Sequence, residues 1–142
     1  MNQEALDVYL LCTTALVLNL FFLVGVIGAR RSKAKTFVNP EDADTFKGNL
    51  AEAEDPKAAR ALAAHRNALE NIPLFLILGY LHVATGASQT SAIAYFVTFT
   101  VARWLHSIVY LRGLQPWRTA LFSISFLAML GIAVRLAIVA LT

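Results

Sequence analysis

From Asn71 to Thr142 the chain carries four charged side chains, and all four are arginines: Arg103, Arg112, Arg118 and Arg135. Soluble domains average about one charged residue in four, so no soluble fold accommodates a stretch this sparse. Fifteen of the 21 charges in the whole chain lie between Arg30 and Glu70. With 58% of residues hydrophobic and 15% charged, disorder and an ordinary soluble enzyme are excluded. A single cysteine, Cys12, excludes a disulfide scaffold. What remains is an all-α integral membrane protein, a bundle of four transmembrane helices forming one domain over residues 1–142.

Crossing the hydrocarbon core takes about 20 apolar residues. The spans are expected at about 8–28, 58–85, 90–111 and 117–140, with a loop over about 29–57 on the cytosolic side. The first span is preceded by Glu4 and Asp7 rather than by basic residues and has no small-x-small cleavage site, which speaks against a signal peptide. Asp55-Pro56 is a helix start, an aspartate cap followed by proline at the first helical position. Gly86 and Ser88 mark a turn, Gly113 ends the third span, and Pro116 opens the fourth.

Basic residues decide orientation. The Arg30–Arg66 segment holds eight Lys or Arg, and Arg112 and Arg118 flank the last connection. Both termini are therefore expected away from the cytosol. The net charge of +3 reflects this topology rather than nucleic-acid binding, since no basic stripe alternates with exposed aromatics. Within the loop, Asn39-Pro40-Glu41-Asp42 reads as a short helix capped by Asn39, with acids in the first turn.

Ionisable groups at membrane depth are costly and mark functional sites. In the second span Arg66 and Glu70 are four residues apart, with Asn67 three from Glu70. In the third, Arg103, His106 and Tyr110 fall within a stripe of about 60°. The fourth opens with Trp117-Arg118-Thr119, which sets a guanidinium and a hydroxyl beside unpaired backbone N–H groups. The alternatives are an intrahelical Arg66–Glu70 pair at the interface, and Arg112 and Arg118 acting as snorkelling anchors.

An excess of arginine over acid calls for an anionic ligand. One glutamate among the arginines calls for an ammonium on that same ligand. Glutathione satisfies both demands, with two carboxylates, an α-ammonium and a thiol. The start of the fourth helix suits a thiolate, because helix N-termini and arginines lower thiol pKa values. Metal binding is not expected, because His65, His82 and His106 lack cysteine or carboxylate partners at ligand spacing. Ser107 has no triad context, and no glycine-rich phosphate loop is present.

Three segments carry a family resemblance: Lys35-Thr36-Phe37-Val38-Asn39-Pro40-Glu41-Asp42, Ala64-His65-Arg66-Asn67-Ala68-Leu69-Glu70-Asn71-Ile72 and Arg103-Trp104-Leu105-His106-Ser107-Ile108-Val109-Tyr110-Leu111. In order and spacing they resemble the MAPEG superfamily, the membrane-associated proteins in eicosanoid and glutathione metabolism. The resemblance is to the branch of microsomal glutathione transferase type 1 and microsomal prostaglandin E synthase type 1.

It implies a homotrimer in the lipid bilayer with glutathione as cosubstrate, bound between subunits near the cytosolic face. By position, Arg31, His65, Arg66, Asn67, Glu70, Arg103, His106 and Tyr110 match glutathione contacts. Arg118 and Thr119 match the place where the thiolate is held. Asp42 matches an aspartate assigned a catalytic role in the prostaglandin synthase. Three features depart from the branch: Ala68 stands where an aspartate is usual, Thr119 replaces a serine, and the Tyr110–Arg118 connection is one residue shorter.

The resulting expectation is a membrane-bound glutathione transferase and peroxidase acting on lipophilic electrophiles or lipid hydroperoxides. The alternatives are a prostaglandin E synthase-like isomerase and a non-catalytic lipid-binding scaffold of the same superfamily. A transporter is disfavoured by the single acid within the spans and by the absence of broken-helix repeats.

Overall fold

Asn2 starts the first helix: its side-chain oxygen accepts the N–H of Glu4 at 3.0 Å and that of Ala5 at 3.4 Å. The computed structural model describes residues 2–142. Helix α1 (Gln3–Ala34) stops where Lys35 turns left-handed, with Arg31 and Lys33 in the last turn favouring the dipole. After the loop come α3 (Pro56–Ala84), a third long helix running from Gln89 to Arg112, and α6 (Trp117–Leu141). All four are long and apolar enough to cross a membrane, and the chain is an all-α integral membrane protein that passes through the bilayer several times.

Helix α1 runs past its expected span at both ends because the span counts only apolar residues, whereas the helical backbone continues into charged turns; α6 matches its expected span to within one residue. At α3 the start is as the sequence suggests. Asp55 Oδ1 accepts the N–H groups of Lys57 at 2.9 Å and Ala58 at 3.2 Å, and Pro56 occupies the first helical position. The third long helix is not uniform. It begins as α4 (Gln89–Ala92), widens into a π-helical turn over Ile93–Val97, and resumes as α5 (Thr98–Arg112), a break that no sequence pattern announced.

Each helix buries a narrow stripe. On α1 the buried residues are Ala5, Cys12, Leu16, Asn19, Leu23 and Ile27, at helical spacing, while Leu11 and Phe21 on the other faces are open. On α3 the buried residues Ala58, Ala61, Ala64 and Ala68 are small, so backbones approach closely. At Gly79 a Cβ would meet the Tyr9 ring at 3.1 Å, and the Tyr9 hydroxyl donates to Leu76 O at 3.0 Å. The centre is aromatic: Phe75 stacks on Phe99 at 3.8 Å and meets Phe96 edge-on at 5.6 Å. Two polar side chains of the third long helix find partners on α1. Trp104 Nε1 donates to Ala15 O at 2.9 Å, and Ser107 Oγ donates to Asn19 Oδ1 at 3.1 Å.

The loop between α1 and α3 carries the short helix α2 (Pro40–Thr45), flanked by β1 (Thr36–Phe37) and β2 (Asn49–Leu50), which pair in parallel. One expectation fails locally. Asn39 occupies the cap position of α2, but its side chain accepts no backbone N–H; Nδ2 instead donates to Asp42 Oδ2 at 3.2 Å. The Asp42 carboxylate draws the amide nitrogen, and the side-chain oxygen is left without a backbone N–H.

Candidate active site at the loop-side end of the bundle

The turn at Gly113 returns the chain antiparallel, so the last turns of α5 face the first turns of α6, with α3 beside them. Gly113 makes this possible by adopting φ 71°, and its N–H bonds Tyr110 O at 3.1 Å. Here an open cleft of about 230 Å³ is lined by Asn67 from α3, His106 and Tyr110 from α5, and Arg118, Thr119 and Phe122 from α6. No carboxylate lines it.

Arg118 is held from two sides. Its guanidinium carbon lies 4.7 Å from the centroid of the Tyr110 ring. With the Gln115 amide oriented to suit its neighbours, the Gln115 oxygen accepts Arg118 Nε at 3.1 Å and Nη2 at 2.9 Å. The Gln115 nitrogen then donates to Thr119 Oγ1 at 3.2 Å. His106 is buried and meets the Tyr110 ring edge-on at 5.6 Å. The expected set of free N–H groups at the start of α6 is smaller than the sequence suggests, because Arg118 N–H bonds Leu114 O at 3.2 Å.

Arg103 lies within the bundle beside this cleft, 1% exposed. Nη2 donates to both the backbone oxygen and the side-chain oxygen of Asn67, each at 3.0 Å. Phe99 and Phe122 flank the guanidinium at 5.8 and 5.9 Å. Nη1 is buried without a partner. A buried guanidinium with one arm unsatisfied is costly, and its neighbours Asn67 and Phe122 both line the cleft. The electrostatics therefore favour an anion.

The other candidate residues lie elsewhere in the single chain. Arg66 and Glu70 sit exposed on α3, His65 half-buried beside them, and Arg66 and Glu70 form no ion pair with each other. Arg31 pairs with Glu54, with Nε donating to Oε2 at 3.2 Å and Nη2 bonding Oε1. Asp42 lies on α2 in the loop, hydrogen-bonded by Asn39. Sequence reasoning missed Phe122, Gln115 and Glu54. Gln115 was within reach, since it lies three and four residues before Arg118 and Thr119, whereas Glu54 is 23 residues from Arg31 and nothing local points to it.

The family model described as "MAPEG family" matches residues 9–138. The human protein named prostaglandin E synthase is 34% identical over 137 residues, covering 96% of this chain and 90% of that one. Its bovine counterpart is 33% identical over the same length and coverage. The rat microsomal glutathione S-transferase 1 is 36% identical over 141 residues, covering 96% and 91% of the two chains.

Proposed function

The chain belongs to the MAPEG family, and from that premise we propose that it is a membrane-bound glutathione transferase that uses the thiolate of glutathione against lipophilic electrophiles. One observation carries the reading. The cleft presents the Arg118 guanidinium over Tyr110, has no carboxylate in its lining, and adjoins the unsatisfied Nη1 of buried Arg103. Such a site attracts and orients an anion. Both a transferase and a prostaglandin synthase are among the chain's relatives, and the name of the transferase specifies glutathione.

Arg118 lowers the free energy of the sulfur anion, and the Thr119 hydroxyl beside it supplies a second donor. Arg103 and Asn67 fix one carboxylate end, while His106 and Tyr110 wall the site against water. We place the tripeptide between neighbouring subunits of a homotrimer, near the cytosolic face, with both termini on the opposite side. That assembly gives the exposed Arg66 and Glu70, and His65 beside them, a ligand to meet. Arg31 and Asp42 serve the same site from the loop.

In conjugation, a bond forms from sulfur to the electrophilic carbon and the leaving group departs with its electron pair. In the peroxidase reaction, a lipid hydroperoxide and two glutathiones give the alcohol, water and glutathione disulfide. Holding the thiolate against a substrate dissolved in the bilayer is the source of rate common to both.

The test is glutathione binding to the detergent-purified protein, followed by ultraviolet absorbance of the thiolate. Conjugation of 1-chloro-2,4-dinitrobenzene and reduction of cumene hydroperoxide are measured alongside. Binding below millimolar concentration with turnover is the expected result; failure to bind at millimolar concentration returns the chain to the scaffold reading. Isomerisation of a prostaglandin endoperoxide is the second activity to assay, because the prostaglandin synthases match nearly the whole chain.

A further inference from the structure

Where α1 ends, α3 begins and α5 ends, five cations share one stretch of surface away from the catalytic cleft. The larger of two adjoining clefts, about 540 Å³, is lined by Arg30, Pro56, Lys57, Arg60, Leu111 and Arg112. The smaller, about 190 Å³, is lined by Arg30, Lys33, Ala34, Asp55 and Lys57. Arg30 and Lys57 belong to both. None of the five cations lines the Arg118 cleft.

Among the described residues no salt bridge neutralises this cluster, and the one ion pair is Arg31–Glu54. The single carboxylate at the rim, Asp55, already accepts the Lys57 and Ala58 N–H groups as the cap of α3. One of the cations is also fixed in place, and a second lies against the turn at Gly113. Arg30 Nη1 donates to Lys57 O at 2.6 Å and Nη2 to Leu111 O at 3.4 Å, tying α1 to α3 and α5. Arg60 lies so close to Gly113 that any side chain there would overlap its Nη1.

A topology signal needs only basic residues on one side of the membrane; it does not need them to converge on a shared cleft. Five cations set against one carboxylate are stabilised by an anion that enters between them. The height of the site within the molecule indicates which anion. Trp117, 64% exposed, and Leu114, 43% exposed, lie at the same end of the bundle, where aromatic and apolar side chains meet the headgroup layer. Basic pockets between membrane helices at this level suit anionic headgroups.

We propose that the Arg30–Lys57–Arg60–Arg112 cleft binds the phosphate of an anionic phospholipid. The adjoining cleft at Lys33 takes a second phosphate when the lipid carries two, as diphosphatidylglycerol does. The site anchors the helix ends around the loop and is distinct from the cleft assigned to glutathione.

The experiment uses the full chain, purified in mild detergent and stripped of lipid. Diphosphatidylglycerol, phosphatidylcholine and inorganic phosphate are added separately, with native mass spectrometry and thermal unfolding as readouts. Diphosphatidylglycerol should remain bound and raise the unfolding midpoint; phosphatidylcholine should do neither. Replacing Lys57, Arg60 and Arg112 together by Gln should weaken diphosphatidylglycerol binding by about fivefold for each charge, while glutathione conjugation persists. The charge-keeping set Lys57→Arg, Arg60→Lys and Arg112→Lys should retain binding. Should the triple variant not fold, Lys57→Gln and Arg112→Gln are tested singly for the same fivefold loss.

Undiminished lipid binding by the neutralised variants, or equal binding of phosphatidylcholine, overturns the proposal. So does inorganic phosphate that displaces the lipid at millimolar concentration, which would make this a site for soluble phosphate.

Discussion

The guanidinium of Arg118 rests on the ring of Tyr110, 4.7 Å from its centroid, although the two residues belong to different helices. The contact positions the one cation that lines the cleft. Replacing Arg118 by Ala should therefore lower kcat for glutathione conjugation by at least about 10²-fold, the usual cost of losing one preorganised charge-stabilising group. The size of the detergent-solubilised assembly should not change, because Arg118 is only partly buried. Full activity in this variant would mean that the thiolate is held elsewhere.

Tyr110 gives a finer test of the same geometry. Phe keeps the aromatic face under Arg118 and the edge-on contact with His106 at 5.6 Å; Leu keeps neither. We expect Tyr110→Phe to retain most of the activity and Tyr110→Leu to lose roughly fivefold, since a cation–π contact is worth about 1 kcal/mol. Equal loss in both would assign the role to the hydroxyl instead, and steady-state kinetics on the two variants separates the cases.

The buried pair Arg103–Asn67 should respond asymmetrically. Asn67→Ala removes the side-chain acceptor and leaves Arg103 Nη2 only the backbone oxygen of residue 67, a loss of about 1–3 kcal/mol for one hydrogen bond to a charged group, visible as a lower unfolding midpoint. Arg103→Met removes the charge together with its demand for partners, so stability should change less. Glutathione affinity should nevertheless fall at least tenfold, which isothermal titration would measure.

These pairs show what the sequence conveys and what it withholds. The spans, the Asp55-Pro56 start of α3 and the stop at Gly113 are local matters of apolar length, capping and φ, and they are readable in order along the chain. So is the stripe of Arg103, His106 and Tyr110 on one helix. Which helix such a stripe faces depends on tertiary packing. Arg103 turns out to lie among Phe99, Phe122 and Asn67 rather than in the cleft lining. Arg31 finds its carboxylate 23 residues away, and Asn39 bonds Asp42 instead of the helix backbone. The π-turn at Ile93–Val97 has no signature in a run of apolar residues. Arg66 and Glu70 stay exposed in the single chain, so a one-chain pattern has no internal partner to reveal.

The Arg31–Glu54 pair ties the end of α1 to the segment that leads into α3. The Arg31 side chain is 31% exposed and that of Glu54 14%, so the pair contributes at most about 1 kcal/mol. Glu54→Gln should leave the unfolding midpoint nearly unchanged. It should speed proteolytic cleavage between residues 35 and 54, with a larger effect at low salt, where the native pair is strongest. Cleavage at the native rate would show that the strand pairing of β1 with β2 holds the loop by itself.

Two glycines with positive φ separate backbone strain from side-chain displacement. Gly86 adopts φ 84° with open space around it, whereas Gly113 adopts φ 71° against the guanidinium of Arg60. An alanine at either position incurs the left-handed penalty of about 1–2 kcal/mol, so both variants should unfold at lower temperature. Only Gly113→Ala also pushes Arg60 out of its cleft. We expect Gly113→Ala to weaken diphosphatidylglycerol binding severalfold and Gly86→Ala to leave it intact. Equal lipid affinity in the two variants would show that the placement of Arg60 does not matter to the headgroup site, whatever its charge contributes.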